Sequence, residues 1–203
     1  MWGYNKSIKV HNSKKRFVIL HTGTYKVLCA RPWIYETSNE FVFGLQRLVL
    51  SVRNIENTEL VIRIRSNEEC EISSLEKLLP LSKNCHIKTD GNFNNDLAEA
   101  DLLISFSSTT IEEALYAKIP VALFGGSDRY RHLPGSSTVP TADNRSAVYH
   151  LTKENISEML EAIMAVHHNK PLTDDEVLGY VWPNFVPDMG DFVSNLINKE
   201  QNG

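Results

Sequence analysis

Four hydroxyl residues in a row, followed closely by two carboxylates, are the part of this sequence best suited to chemistry. The hydroxyls run from Ser107 to Thr110 and end an apolar stretch, and Glu112 and Glu113 come after them. Thr109 and Glu112 have the spacing of a capping box, as does the next pair along, so the hydroxyls could satisfy N–H groups at a helix start. One cap needs one hydroxyl, however, and spare hydroxyls beside free N–H groups also suit a phosphate. The residue types alone leave both interpretations open.

The two carboxylates suit a sugar better than a phosphate, because a carboxylate repels an anion but accepts hydrogen bonds from neighbouring hydroxyls. Dinucleotide-binding folds use a carboxylate in this way on a ribose. Glu113 lies one turn into the predicted helix, so it can reach a ribose whose phosphate lies at the helix start. Glu112 points about a quarter-turn away, and we interpret it as the capping partner.

Polar residues and glycines follow the other apolar runs of the chain. After the first run, Gly23 lets a backbone approach a ligand closely, but the pattern is not GxGxxG, which argues against a dinucleotide dehydrogenase. Arg65 ends the second run, where it could bind a phosphate, with an exposed ion pair as the alternative. Arg63 points to the same face of the strand. The candidate ligand-binding residues are His21, Thr22, Gly23, Thr24, Arg65, Ser107, Ser108, Thr109, Glu113, Gly125 and Gly126.

The segment Gly125–Ser137 is long, polar and rich in Gly, Arg and His, which is typical of a loop that holds a ligand on a rigid scaffold. Its candidate side chains are Asp128, Arg129, Arg131 and His132. His132 has no visible Ser or Asp partner, so the sequence does not support a hydrolase triad. The sequence contains no Asp-x-Asp metal motif, and we expect neither a metal nor another cofactor.

Strand-like and helix-like segments alternate along the chain. The six strand-like runs are Arg16–Thr22, Glu59–Arg65, Cys85–Thr89, Asp101–Phe106, Pro120–Gly126 and Ala147–Leu151. Most are apolar nearly throughout, which is typical of parallel strands buried on both faces. The sequence therefore predicts an α/β fold, a doubly wound (Rossmann-like) parallel sheet of about six strands with helices on both faces. Such sheets bind ligands beyond the carboxyl ends of their strands, where the candidate residues lie.

Size, composition and charge narrow the class of protein. The chain has 203 residues, of which 23% are charged and 42% hydrophobic, an ordinary globular composition. Its net charge of −4 gives no electrostatic reason to bind nucleic acid. We divide the chain into a lead-in at residues 1–15, a Rossmann-like domain at residues 16–170 and a helical tail at residues 171–203, which prolines interrupt.

The sequence also contains features that relate to the cellular compartment of the protein. No apolar run is long enough to span a bilayer, and the first residues are too polar for a secretory signal. The cysteines, Cys29, Cys70 and Cys85, lack metal-binding spacing, and their odd number suits a reducing compartment. We therefore expect a cytoplasmic protein. The basic residues of the lead-in fit either a solvated segment or a weak membrane-surface patch, which leaves peripheral association with the inner face of the membrane open.

The block EADLLISFSSTTIEEALYAKIPVALFGG, residues 99–126, resembles the nucleotide-binding half of GT-B fold glycosyltransferases. It is similar in particular to bacterial enzymes that build surface and capsular polysaccharide, which have AD, an apolar strand, Ser-Ser or Ser-Thr, and EAL in this order. The resemblance is specific over this block, compatible with residues 16–165 and architectural over the rest. The chain departs from several related groups after the second strand, where they have a His-Pro pair and it has RIRSNEE.

The resemblance implies a role for each matching position. The residues 107–109 would hold the phosphate of a nucleotide-sugar donor. Glu113, the Glu of the EAL element, would hold the ribose. The residues 21–24 would face the phosphates or the cleft between two domains. Arg65 would serve as a phosphate partner in place of the His-Pro pair.

A GT-B enzyme has two Rossmann-like domains, and this chain resembles the second, donor-binding one. We therefore expect the donor half of a glycosyltransferase of surface polysaccharide biosynthesis, with a glycan or lipid-linked acceptor bound by a missing domain or subunit. In this fold the catalytic base of an inverting enzyme generally lies in the acceptor half, so we assign no catalytic residue. Two alternatives stay open: a stand-alone nucleotide-sugar-binding or regulatory module without catalysis, and half of a nucleotide-sugar 2-epimerase.

Overall fold

A parallel sheet of six strands forms the centre of the part of the chain that the structure describes. The structure is a computed structural model, and it describes residues 16–23, 36–64 and 72–181. The strands are β1 (Phe17–Gly23), β2 (Thr58–Ile64), β3 (Cys85–Lys88), β4 (Leu102–Ser105), β5 (Val121–Leu123) and β6 (Val148–His150). Their order is β3-β2-β1-β4-β5-β6, so the winding reverses between β1 and β4. The predicted doubly wound α/β fold is confirmed.

Both faces of the sheet are buried, which explains the continuous apolar runs. On β1, Ile19 and Leu20 are neighbours that point to opposite faces, and each is 1% exposed. On β4, Leu103 and Ile104 are also completely buried. Burying a side chain of this size stabilises the fold by about 1.5–3 kcal/mol relative to leaving it exposed. Apolar residues are therefore favoured at consecutive positions rather than at every second one.

Helices pack on each face of the sheet. They are α1 (Ser38–Val52), α2 (Ile72–Leu78), α3 (Phe93–Glu99), α4 (Thr110–Tyr116), α5 (Ile156–His167) and α6 (Asp174–Val177). One apolar cluster includes Leu48 of α1, Leu75 of α2 and Ile163 of α5. The cluster on the opposite face includes Leu97 of α3 and Leu115 of α4. The sheet is thus held between two cores, and its carboxyl edge stays free to carry a site.

Helix α1 begins at this carboxyl edge with a capping box. The Glu40 backbone N donates to Thr37 Oγ1 (3.3 Å), and the Thr37 backbone N donates to Glu40 Oε2 (2.8 Å). The helix then packs closely on the segment that follows β5, because a Cβ added at Gly44 would lie 2.8 Å from the backbone N of Gly126. The start of α1 is therefore fixed next to the end of β5.

The outer edge of β6 is covered by the segment that precedes it. The Ser136 backbone N donates to Val148 O (2.9 Å), and the His150 backbone N donates to Ser136 O (2.8 Å). Ser136 thus forms a parallel bridge with Tyr149. At the opposite side of the sheet, β3 has only four residues.

The predicted tail is described only in part. Leu172, just before α6, and Val177, the last residue of α6, are buried in the second cluster. Residues 182–203 and the lead-in at residues 1–15 lie outside the described residues, so the division into lead-in, domain and tail stays a prediction. Among the residues that are described, no helix combines the length and apolar character needed to cross a bilayer, and no three His, Cys, Asp or Glu side chains form a group that could hold a metal ion.

Candidate functional site

The carboxyl ends of β1 and β4 meet where the winding of the sheet reverses. Ser105 Oγ donates to Thr22 O (3.1 Å), and the hydroxyl oxygens of Thr22 and Thr110 are 2.8 Å apart. Thr22 and Ser105 are buried, so these bonds fasten β1 to β4 and to the first turn of α4. Ligands of doubly wound sheets bind at this reversal, which makes this edge the candidate site.

The hydroxyl run connects β4 to α4, and part of it is on the surface. Ser107 and Thr109 are exposed, whereas Ser108 is partly buried and accepts a hydrogen bond from the Thr110 backbone N (3.3 Å). Thr109 is the N-cap residue, but its backbone angles are helical and its side chain makes no cap. The capping box predicted for Thr109 and Glu112 is therefore wrong, because the chain is already helical where it enters α4. Ser107 and Thr109 are on the surface, where a ligand can reach them.

Glu113 lies one turn into α4 and is partly buried. Burial raises the pKa of its carboxyl group, and the neighbouring charge of Glu112 raises it further. Its carboxylate forms no hydrogen bond or ion pair with any residue in the described ranges. A partly desolvated carboxylate without a partner gains from new hydroxyl donors, and the predicted contact with a ribose would supply them.

Glu112 contacts a histidine from another element. Glu112 Oε1 is 3.2 Å from His132 Nε2. The other ring nitrogen, Nδ1, lies 3.4 Å from Ser107 Oγ and 3.3 Å from Tyr130 Oη. The sequence shows no Ser or Asp partner for His132, but the fold brings a serine and a glutamate beside its ring, because α4 and the segment after β5 meet at the same edge of the sheet.

Aromatic rings hold the segment that carries His132. Phe106, directly after β4, meets Tyr130 edge-on with ring centroids 6.1 Å apart, and the Tyr130 and His132 ring centroids are 6.2 Å apart. A Cβ added at Gly125 would collide with the Phe106 ring. Edge-to-face pairs contribute about 0.5–1.5 kcal/mol each beyond the area they bury. These contacts keep the imidazole beside Ser107.

A second group of charges lies where α1 meets the segment after β5. The Gly126 backbone N donates to Glu36 Oε1 (2.6 Å). Arg129 binds Glu40 with both terminal nitrogens (2.7 and 2.6 Å). Burial raises the pKa of Glu36 to about 7, although the bond from Gly126 opposes the shift. The hydrogen bonds from Arg129 lower the pKa of Glu40 to about 2. Two carboxylates four residues apart therefore titrate in different pH ranges.

Gly125 and Gly126, predicted to bind ligand, are also needed for packing. A Cβ at Gly126 would collide with the backbone carbonyl of Glu40, at the start of α1. A Cβ at Gly125 would lie 2.7 Å from Glu36 Oε1. Close approach of α1 accounts for a glycine at both positions, and their contact with a ligand stays a prediction.

His21 lies inside β1 rather than beyond it. It is 5% exposed and packs against Phe41 of α1, with ring centroids 6.2 Å apart. Burial lowers its pKa to about 4, so the imidazole is neutral near neutral pH. Its Nδ1 has no hydrogen-bond partner in the described part of the chain. A Cβ added at Gly23 would lie 2.8 Å from Phe41 Cε2, so this end of β1 is crowded as well.

The two remaining predicted residues, Thr24 and Arg65, lie outside the described residues, and their roles stay predictions. Arg63 is fixed in the structure. Its guanidinium donates to Asp90 O (3.0 Å) and forms an ion pair with the buried carboxylate of Asp96. Arg63 is therefore engaged in an ion pair, and this pair is largely buried rather than exposed.

No motif or residue spacing along the chain points to Glu36, Tyr130 or the contact between Glu112 and His132. Glu112 and His132 are 20 residues apart and belong to different elements. One signal was available, since α4 follows β4 and the segment with His132 follows β5, and strands that are adjacent and parallel end at the same edge. This signal helps only if β4 and β5 are known to be neighbours, and the residue pattern does not give the strand order.

No protein-family model matches the chain, and no curated protein matches it. Solved structures do match. Sucrose-phosphate synthase from Thermosynechococcus elongatus has a TM-score of 0.54 and 14% identity, over 92% of this chain and 47% of that chain. Spinosyn rhamnosyltransferase SpnG, complexed with spinosyn aglycone, has a TM-score of 0.50 and 17% identity, over 82% of this chain and 42% of that chain.

A UDP-GlcNAc 2-epimerase from Neisseria meningitidis, bound to UDP-GlcNAc, is also similar, with a TM-score of 0.46 and 17% identity, over 77% of this chain and 39% of that chain. The chain thus spans less than half the length of each of these three structures. At these identities the two higher-scoring matches show a shared fold. They support the predicted GT-B type of Rossmann-like domain.

Proposed function

We propose that the chain is the donor-binding half of a GT-B glycosyltransferase of surface polysaccharide biosynthesis, with a nucleotide-sugar as its ligand. The observation that carries the proposal is the position of Ser107, Thr109 and Glu113 at the reversal between β1 and β4. Exposed hydroxyls suit the phosphates, and a carboxylate one turn into α4 that has no partner among the described residues suits the ribose. The fold likeness covers less than half of each larger structure, which agrees with a half-enzyme.

The chemistry of glycosyl transfer explains what such a half has to do. The bond between the anomeric carbon of the sugar and a phosphate oxygen breaks, and its electron pair stays on the phosphate. The donor half therefore has to offset the negative charge that develops on the leaving phosphate. A glycan or lipid-linked acceptor would be bound by a further domain or subunit, in the cytoplasm at the inner face of the membrane.

A thermal-shift screen with CMP, CDP, UDP, GDP and the corresponding nucleotide-sugars tests the proposal. A ligand that binds only the native state adds about 2.7 kcal/mol of stability at 100 times its Kd. For a chain of this size that raises Tm by roughly 5–10 °C. We expect at least one nucleotide to do so at millimolar concentration, and the free sugars to have less effect.

Matched variants show where the nucleotide binds. S107A/T109V should lose most of the nucleotide-induced rise in Tm. S157A, which removes an exposed hydroxyl from α5, should keep it. If no nucleotide stabilises the wild-type protein, the donor-binding proposal is wrong for this chain. An equal response of both variants would place the nucleotide away from the hydroxyl run.

A further inference from the structure

Three elements bring a histidine, a carboxylate and two hydroxyls together at one end of the hydroxyl run. Glu112 comes from α4, Ser107 from the end of β4, and Tyr130 and His132 from the segment after β5. The ring of His132 is held between the other three side chains. Hydroxyl and imidazole groups can bind an anion, and a carboxylate can orient an imidazole, so the cluster could take part in the work of the site.

His132 differs from His167, a histidine with a structural role. Tyr149 Oη and His167 Nε2 are 2.8 Å apart, both residues are buried, and burial lowers the pKa of His167 to about 4. By contrast, the side chains of His132 and Glu112 are 23% and 41% exposed. An ion pair with this exposure adds at most about 1 kcal/mol to stability. Stability therefore gives little reason for the pair of Glu112 and His132.

The contacts of His132 determine which ring nitrogen faces a ligand. An ionised carboxylate only accepts hydrogen bonds, so the nitrogen beside Glu112, Nε2, carries a hydrogen. Nδ1 is turned toward the hydroxyls of Ser107 and Tyr130 at 3.4 and 3.3 Å. These distances exceed the range of about 2.7–3.2 Å for a well-formed hydrogen bond. When the ring carries its second proton, a phosphate oxygen can therefore accept a hydrogen bond from Nδ1 in place of these hydroxyls.

A phosphate beside Ser107 needs a positive charge, because the two carboxylates of α4 add negative charge nearby. The arginines of the same segment are engaged elsewhere. Arg129 is bound to a carboxylate of α1, and Arg131 lies 3.5 Å from the carboxylate three residues before it. His132, with Nδ1 turned to Ser107 Oγ, is placed to supply the charge.

We propose that His132, as an imidazolium held at Nε2 by Glu112, binds the sugar-linked phosphate of the donor through its Nδ1–H. The inference rests on the proposed function and adds a ligand to that site. Ser107 Oγ and His132 Nδ1 contact the same phosphate, and Glu112 is a positioning residue. A charge-assisted hydrogen bond strengthens as the anomeric carbon–oxygen bond breaks and charge collects on the phosphate.

Sulfate tests the anion site without a base or a sugar, since it remains a dianion across the neutral pH range. In protein labelled with 13C at histidine Cε1, the resonance missing from the H132Q spectrum belongs to His132. We expect millimolar sulfate to move the titration midpoint of this resonance to higher pH, because an anion favours the imidazolium. Glu112 and Tyr130, the titratable groups that face the ring, are present in both samples. A difference between the two titration midpoints therefore comes from sulfate.

The CMP- and UDP-sugars of the thermal-shift screen test the donor. Their phosphate diesters do not titrate near neutral pH, so a change of affinity with pH belongs to the protein. We expect wild-type affinity to fall about tenfold from pH 6 to pH 8, because the charge-assisted hydrogen bond needs the imidazolium form, and H132Q to bind weakly at both. H132N, whose amide lies near the place of Nδ1, should recover part of the affinity without the pH dependence. E112Q should weaken the pH dependence.

His86 supplies the matched control. It also lies near a carboxylate, with Nδ1 3.7 Å from Glu59 Oε1, but it is on β3 at the far side of the sheet. H86Q should bind nucleotide-sugars like the wild type, and in the wild-type protein the His86 resonance should not respond to sulfate.

The outcomes separate this inference from the proposed function. If nucleotide-sugars bind but H132Q behaves like the wild type at both pH values, the role of His132 is wrong and the donor site stands. If sulfate moves the His132 resonance but no nucleotide binds, the anion site stands and the donor-binding proposal is wrong. If H132Q and H132N lower affinity equally at both pH values, His132 is only a structural support, and the inference is wrong.

Discussion

Glu112 and Glu113 are adjacent carboxylates with different surroundings. Glu112 lies 3.2 Å from His132 Nε2, whereas Glu113 has no hydrogen-bond or ion-pair partner in the described part of the chain. Consecutive helical residues point about 100° apart, so the two side chains serve different neighbours. Glu112 is suited to positioning a cation, whereas Glu113 is suited to accepting hydrogen bonds from a neutral hydroxyl.

Replacing Glu113 should separate ribose binding from phosphate binding. We expect E113A to weaken nucleotide-sugar binding about tenfold or more, since hydrogen bonds to a charged group contribute about 1.5–3 kcal/mol. Inorganic pyrophosphate should bind within about twofold of the wild type, as measured by isothermal titration calorimetry. E161A, which removes an exposed glutamate of α5, should change neither. Equal losses for both ligands in E113A would contradict a contact with the ribose.

At the scale of elements, the junction between α1 and the segment after β5 is the most tightly constrained part of the site. Gly44 and Gly126 bring the two backbones together, and Glu36 accepts a hydrogen bond from the Gly126 backbone N. The same segment then continues to His132. A shift of α1 would therefore be transmitted to the imidazole beside the hydroxyl run.

Adding a methyl group at Gly126 tests this junction. We expect G126A to lower the free energy of unfolding by about 1–3 kcal/mol, because its Cβ collides with the Glu40 carbonyl and the helix has to move. G179A is the control, since a Cβ there meets nothing within 4 Å and adds only the strain of a φ of 96°; its cost is about 1 kcal/mol. Urea unfolding measures both. A smaller loss for G126A than for G179A would show that the junction adapts.

The fold could be predicted from the sequence because burial on two faces leaves a strong pattern. Runs such as that around Leu103 and Ile104 are apolar at consecutive positions, and helical segments separate them. The order of the strands leaves no such pattern, since it depends on where each crossover places the next strand. Contacts across the carboxyl edge, such as the one between Glu112 and His132, depend on that order.

In the hydroxyl run, the spacing of residues along the chain predicts the helix start but not the side-chain contacts. The spacing of Thr109 and Glu112 correctly indicates a helix start, since α4 begins at Thr110. It does not indicate what the side chains contact, because Thr110 is bonded to Thr22 and Glu112 faces His132. Tertiary contacts at the sheet edge replace the local cap.

At the scale of the whole molecule, two buried histidines and one partly buried glutamate make stability depend on pH. Burial lowers the pKa of His21 and of His167 from 6.5 to about 4, so the unfolded chain binds more protons and stability is lost as pH falls from about 6.5 to about 4. Burial raises the pKa of Glu36 from 4.5 to about 7, so the native chain binds more protons and stability falls as pH rises over that interval. Because two histidines oppose one glutamate, these groups together favour maximal stability near pH 6.5.

The variant E36Q isolates the contribution of the glutamate. Glutamine still accepts the hydrogen bond from Gly126 but carries no charge to desolvate. We expect E36Q to be more stable than the wild type by about 2 kcal/mol near pH 8, with the advantage disappearing near pH 4.5. Thermal unfolding across this range gives the difference. E56Q, an exposed glutamate before β2, should follow the wild type, and a constant offset for E36Q at every pH would contradict the raised pKa.

The covered edge of β6 bears on how the chain behaves at high concentration. Unpaired strand edges act as templates on which other chains add, and this leads to aggregation. Ser136 already occupies backbone groups of Val148 and His150, and β3 has only four residues on which another chain could add. The described part of the chain is therefore protected from growth at both sides of its sheet. This favours producing the chain on its own at the millimolar concentrations that NMR titrations need.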